Sequence, residues 1–155
     1  MESIFRHYAA NESLYTETVA PVCEKHGLTF MEFTVLLFLA NNPMFDTASE
    51  IVKYRHLTKS HVSLSVRSLQ EKGLLRGEYH EPNRRTVHLT VLEAAEEVIR
   101  EGRAAQQAYG DILFAGFTDA ERELFVGFLE KIDGNVVRHG AAAQGKKECS
   151  ADGRE

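Results

Sequence analysis

The segment from residue 58 to 91 most constrains the fold, because its hydrophobic pattern changes period partway along. Its first part, KSHVSLSVRSLQEK, contains no proline or glycine and puts Val62, Val66 and Leu69 on one helical face. After Gly73 the residues alternate as strands do, first in LLRGEY and again in TVHLTV. The segment therefore predicts a helix followed directly by a two-stranded hairpin.

The side of this helix opposite its apolar face is small and polar. Solvated helices usually carry long Glu and Lys side chains there, whereas here Ser60, Leu64 and Arg67 are flanked by serines and a histidine. Such a face can approach the major groove of DNA, where Arg donates to guanine and Ser or His contacts bases or phosphates. The candidate DNA contacts are Lys59, Ser60, His61, Ser63, Leu64 and Arg67, and Ser68 lies at the edge of the same face.

The hairpin has a basic tip, HEPNRR. Pro82 and Asn83 suit a turn, and Arg84 and Arg85 follow directly. Arginines on a thin β-wing can enter a narrow minor groove, where negative potential is focused. Arg84 and Arg85 therefore complete the candidate DNA-binding surface.

Charge is distributed unevenly along the chain. The formal net charge of -5 argues against a nucleic-acid partner, yet residues 53–88 carry eight basic and three acidic side chains, a net +5. The rest of the chain then carries -10. One basic surface on an acidic body is expected where a small part of a protein meets DNA.

Helix starts are marked by the capping box T-x-x-E, which occurs four times before apolar runs. These boxes and the stop signals predict a helix over about 3–26, a buried one in FMEFTVLLFLA, a short one over 48–55, and two long ones over 91–115 and 119–139. The four pairs are Thr29/Glu32, Thr47/Glu50, Thr90/Glu93 and Thr118/Glu121. Two helices followed by a hairpin give a winged helix-turn-helix, in a fold that is mainly α (α+β).

The long C-terminal helices indicate a partner. A helix of about 25 residues extends about 37 Å, more than a small domain covers, so part of its apolar face should meet a second subunit. We therefore expect a homodimer.

The sequence LTKSHVSLSVRSLQEKGLL, followed by HEPNRRTVHLT, resembles the DNA-binding core of the MarR family. The order and lengths of the elements resemble that family over about residues 3–139. The resemblance implies a bacterial transcriptional regulator of the repressor type, which reads a pseudo-palindromic operator with recognition helices in major grooves and wings in minor grooves. The implied domain is 1–139, with DNA-binding part 29–91 and dimerisation helices 1–28 and 92–139. Residues 140–155 are small and polar, which predicts a disordered tail.

Three positions depart from the family pattern. Asn83 stands where many members have an aspartate that orients the wing arginine. Leu64 stands where an arginine is frequent, which favours a thymine methyl contact and an AT-tolerant site. His56 replaces a common glycine in the turn, so we expect it to adopt the left-handed backbone conformation.

The signal that such a regulator would sense has three candidate sites. The family resemblance implies a small aromatic or lipophilic effector, and His7, Tyr15, Phe30 and Phe33 are candidates to line its site, although packing explains them equally well. Cys23 is either a redox-reactive thiol or, as we favour, a buried structural residue. A metal site at Cys23, Glu24 and His26 lacks a second cluster of ligands.

Other classes of function are disfavoured. The sequence contains no P-loop, G-x-S-x-G or H-E-x-x-H motif, so we expect no enzyme activity and no cofactor. It contains no secretion signal and no apolar run of about 20 residues, so we expect a cytoplasmic protein without membrane contact. A winged-helix module that binds another protein instead of DNA remains an alternative, which the basic wing disfavours.

Overall fold

A computed structural model describes the backbone of residues 2–80 and 83–151, and the side chains of residues 7–79 and 85–139. It confirms a mainly α fold with a two-stranded antiparallel wing. The elements in chain order are α1 (Glu2–Lys25), α2 (Phe30–Asn41), α3 (Ala48–Arg55), α4 (Lys59–Glu71), β1 (Leu75–His80), β2 (Asn83–Val91), a 3-10 turn (Glu93–Ala95), α5 (Glu96–Leu113) and α6 (Asp119–Ala151).

The chain divides into two compact units, residues 1–112 and 113–155. In the first unit α2 is buried on almost every side, as its apolar sequence predicts. One face of α2 contributes to a core with α3, α4, the hairpin and α5, which includes Leu36, Ile51, Val62, Leu69, Leu89 and Val98. A second, smaller cluster joins α1 to α2 through Val19, Cys23, Phe33 and Leu37.

Helices α3 and α4 form the helix-turn-helix. The turn between them contains His56 at φ 52° and ψ 33°, which confirms the predicted left-handed conformation. Thr58 then caps α4 by accepting a hydrogen bond from the backbone N–H of His61. The inner side of α4 buries Val62, Ser65 and Leu69.

The hairpin is attached to the helices at its base. Leu75 pairs with Val91 there, and the backbone N–H of Leu89 donates to the carbonyl of Asp46 at 2.7 Å. Thr47 also bridges to His88, whose Nδ1 lies 2.9 Å from the Asp46 carboxylate. The wing is therefore tied to the segment just before α3.

Three of the four predicted capping boxes are present, those of Thr29, Thr47 and Thr118. The box predicted at Thr90 is wrong, because Thr90 pairs with Arg76 in the hairpin. The following 3-10 turn begins after Leu92 without a side-chain cap. Ladder pairing thus overrides the local capping signal, and α5 starts later than predicted.

The second unit consists mainly of α6. Phe114, Phe117 and Phe125 form an aromatic cluster at its start, with ring centroids 5.5 to 6.4 Å apart. Helix α6 continues to Ala151, past the predicted end at residue 139. Residues 152–155 of the predicted disordered tail lie outside the described residues, and so do the side chains of residues 140–151. None of the helices in the described part is long and apolar enough to cross a membrane.

Candidate nucleic-acid interface

Helix α4 presents a continuous exposed row. All six candidate contacts on this helix have exposed side chains, while its buried residues face the core. Leu64 is 67% exposed, so an apolar side chain stands in the middle of this polar row. The six exposed residues are Lys59, Ser60, His61, Ser63, Leu64 and Arg67.

Arg67 is the strongest base-reading candidate in this row. Its side chain is 80% exposed, and its Nε donates to Glu71 Oε1 at 2.9 Å one turn further along α4. This exposed pair contributes little to stability, so the guanidinium can leave Glu71 for a stronger acceptor.

Ser68 differs from its predicted position at the edge of the outer face. Its hydroxyl donates a short hydrogen bond to Oε1 of Glu32, a buried residue of α2. Lys72, which follows one turn later, donates to both Glu32 oxygens at 2.9 Å and to the carbonyl of Gly27 at 2.8 Å. Ser68 of α4 and Lys72, the residue that ends this helix, are therefore held by the buried Glu32 carboxylate.

The environment of Glu32 stabilises its charged form. Burial of the carboxylate raises its pKa, but the hydrogen bonds from Ser68, Thr29 and Lys72 outweigh burial and lower the pKa to about 2. Glu32 thus carries a full negative charge within the core at neutral pH.

The wing is described in part. Arg85 is exposed at the start of β2, whereas the side chain of Arg84 lies outside the described residues. On β1, Arg76 and Glu78 form an exposed ion pair at 2.8 Å. The structure therefore shows how the two strands pair and where one of the two predicted arginines, Arg85, lies.

An open cleft of about 590 Å³ lies between α1, α2, α5 and the turn before α4. Two of the four candidate effector contacts line it, Tyr15 and Phe30, and their rings meet edge to face at 6.0 Å. His7 is exposed but is not part of the lining. Phe33 is fully buried, because the α1–α2 core encloses it, and this excludes it from the cleft wall.

Residues without a local sequence signal also form the cleft and support its aromatic wall. Tyr109 of α5 packs edge to face on Tyr15 at 5.2 Å, and Gln106 donates to the Tyr15 hydroxyl at 3.0 Å. Arg55 and His56, at the end of α3 and in the turn that follows it, also line the cleft. Only tertiary packing brings these residues together, so no local pattern could indicate them.

Cys23 is buried in the α1–α2 core, as favoured from the sequence. Burial, together with the nearby charges of Glu24 and Glu32, raises the pKa of its thiol. His26 contacts Glu101 at 2.9 Å instead of turning to Cys23 and Glu24. Among the described residues, no three potential metal ligands cluster.

Helix α4 with its exposed polar face, the preceding helix and turn, and the basic hairpin together define a winged helix-turn-helix protein. Residues 26–86 match the family model described as MarR family, so this winged-helix segment belongs to the MarR family and the predicted resemblance is confirmed. A search of curated proteins finds no match.

Solved structures of other proteins have the same fold. A MarR family transcriptional regulator from Silicibacter pomeroyi is 22% identical, with a TM-score of 0.72 over 82% of this chain and 85% of that chain. A Listeria monocytogenes regulator, solved in complex with a 26mer DNA, is 15% identical, with a TM-score of 0.80 over 91% and 93%. Bordetella bronchiseptica BpsR, whose DNA binding is regulated by 6-hydroxynicotinic acid, is 21% identical, with a TM-score of 0.69 over 85% and 96%.

Proposed function

We propose that this protein is a transcriptional regulator, of the repressor type, that binds a specific DNA sequence through α4 and the wing. The observation that carries the proposal is the exposed row on α4, where small polar side chains surround Leu64 and Arg67. Serines allow close approach to the groove, Arg67 can donate two hydrogen bonds to guanine, and Leu64 can contact a thymine methyl. Arg84 and Arg85 would add contacts in the flanking minor groove.

The protein acts as a homodimer in this proposal. Helix α6 carries exposed apolar side chains at helical spacing, a pattern that buries itself in a partner more often than it faces water. A symmetric dimer has two recognition helices and therefore requires a pseudo-palindromic operator. The exposed residues of this stripe are Leu124, Phe125, Phe128, Leu129, Ile132 and Val136.

A small effector would regulate DNA affinity from the cleft beside α4. Tyr15, Phe30 and Tyr109 supply an aromatic wall, and Arg55 supplies a positive charge. Because Arg55 ends α3 and His56 begins the turn to α4, an occupant that shifts them changes the direction of the recognition helix. An aromatic acid fits this combination of rings and charge.

The alternatives have less support. The raised thiol pKa of buried Cys23 disfavours a redox sensor, because the thiolate is the reactive form. The polar outer face of α4 and the arginines of the wing match the grooves of DNA, and neither feature is expected of a module that binds only proteins. We propose a regulator without catalytic activity, residing in the cytoplasm.

Selection of genomic DNA fragments with the purified full-length protein tests the proposal. We expect enrichment at low salt of fragments that share a palindromic element, and footprints of two half-sites one helical turn apart. Lack of enrichment at low salt, or enrichment without a shared element, would refute sequence-specific DNA binding.

A further inference from the structure

Glu32 is a buried carboxylate that joins three segments of the chain. Its side chain is 5% exposed and accepts hydrogen bonds from the backbone N–H of Thr29 at 2.6 Å and from the Ser68 hydroxyl. Lys72 contacts both of its oxygens and also donates to the carbonyl of Gly27. One charged group therefore connects the corner between α1 and α2 to the C-terminal half of α4.

This arrangement is more specific than packing alone. Lys72 is the C-cap residue of α4, one turn after Ser68, so the two residues fix the rotation of the helix as well as its distance from α2. The apolar contacts of Val62 and Leu69 are non-directional, whereas hydrogen bonds to a buried carboxylate require particular angles. A small rotation of α4 would break these bonds and leave a buried charge unpaired, which is costly.

The same rotation would move the exposed row. Leu64 precedes Ser68 by one turn and Arg67 is its neighbour, so the direction in which both project depends on the contact between Ser68 and Glu32. Gly27 ends the α1 corner at φ 62°, and its carbonyl holds Lys72 from that side. The position of the recognition helix therefore depends on the position of the α1–α2 corner.

We propose that Glu32, Ser68 and Lys72 are positioning residues, which set the orientation of the recognition helix and hence DNA affinity without contacting DNA. This inference rests on the proposed DNA-binding function. The opposing possibility is that Lys72 contacts a DNA phosphate, since its side chain is 35% exposed. The two roles predict opposite effects for a change at Glu32.

The test measures DNA affinity against salt concentration for Glu32→Gln, Lys72→Met and the double variant, on an operator fragment that the wild type binds. We expect each single variant to bind about tenfold more weakly, with the salt slope unchanged, because no phosphate contact is lost. The double variant should bind DNA no more weakly than the single variant of lower affinity, because either change alone already breaks the contact between Glu32 and Lys72.

Ser68→Ala is a milder variant in case the ion-pair variants fold poorly, and we expect it to bind about threefold more weakly with the same salt slope. Lys59→Met is the matched control for a lysine of the exposed row, and it should lower the salt slope by about 1. Lys72→Arg, which keeps a positive donor, should recover part of the affinity that Lys72→Met loses.

Three results would overturn the inference. A lower salt slope for Lys72→Met, combined with tighter binding by Glu32→Gln, would make Lys72 a phosphate contact. Unchanged DNA affinity in folded Glu32→Gln and Ser68→Ala, whatever their unfolding midpoints, would make the cluster purely structural. If the losses of DNA affinity in the two single variants add up in the double variant, Glu32 and Lys72 act independently and do not form one unit. Failure of the wild type to bind DNA would instead refute the proposed function.

Discussion

Arg67 Nε donates to Glu71 Oε1 at 2.9 Å along the exposed side of α4. The guanidinium that we propose to read a base is thus already held by an acid on its own helix. Both side chains are mostly exposed, at 80% and 64%, so the pair costs little to break. In the proposed complex, Glu71 would therefore compete with DNA for Arg67 and add a negative charge near the phosphates.

Glu71→Gln should consequently strengthen DNA binding, by about two- to fivefold at low salt, because the competitor and the repulsion are both removed. The gain should shrink as salt rises. Titration of labelled operator fragment checks this, and Glu17→Gln on α1 is a control with the same change of charge. Weaker binding by Glu71→Gln would mean that Glu71 holds Arg67 in its reading position.

Gly102 on α5 leaves no room for a side chain. An added Cβ would lie 2.9 Å from Phe33 and 3.0 Å from Leu37 in the α1–α2 core. We expect Gly102→Ala to lower the free energy of unfolding by about 1–3 kcal/mol, as overpacking does.

Gly110→Ala is the matched control on the same helix, where an added Cβ meets nothing within 4 Å. It should raise stability by up to about 1 kcal/mol through helix propensity. Urea unfolding of both variants measures the difference. A Gly102→Ala protein as stable as Gly110→Ala would contradict the tight packing of α5 on α2.

Because of Glu32, the free energy of unfolding should depend on pH in the acidic range. The folded state lowers the pKa of its carboxyl from 4.5 to about 2, so its stabilising effect is complete above pH 4.5 and is lost as the pH falls towards 2. Glu32→Gln lacks this contribution at every pH.

The measurement compares the free energies of unfolding of wild type and Glu32→Gln at about pH 6 and about pH 3, with the prediction that the gap narrows at the lower pH. Glu101, whose pKa is also lowered to about 2 by Lys25 and His26, is present in both proteins and cancels. A gap that is constant with pH would contradict the charged state of Glu32 in the fold.

The exposed stripe of α6 should hold the proposed dimer together. Phe128→Glu places a charge on that stripe and should convert a dimer into monomers, with a loss of operator binding. Val137→Glu makes the same kind of change on another side of the helix and should leave the dimer intact. Sedimentation equilibrium reports the mass; a Phe128→Glu protein that remains dimeric would exclude this stripe from the interface.

Local signals in the sequence predicted most elements of the fold. Thr29, Thr47 and Thr118 cap helices because each needs only a glutamate three residues later. Thr90 has the same local pattern but joins the hairpin, where pairing with Arg76 provides its backbone with partners. A short motif therefore indicates a helix start only where no strand takes up the same residues.

The site was harder to predict where it depends on contacts between helices. A helical wheel placed Ser68 at the edge of the outer face, but its partner Glu32 is 36 residues away on another helix. The sequence pattern does not distinguish Phe33 from Phe30 as a cleft residue, and only the packing of α1 makes the first ring buried and the second exposed. Periodicity identifies faces, whereas tertiary packing decides what each face meets.

The most direct test of the central claim is a salt titration of operator binding by the wild type and the Arg84→Ala/Arg85→Ala variant, with a scrambled fragment of equal length. We predict a steep linear fall of log affinity with log salt, a clear preference for the operator, and a slope smaller by about 2 in the variant. Equal affinity for both fragments, or binding that is insensitive to salt, would contradict DNA recognition by α4 and the wing.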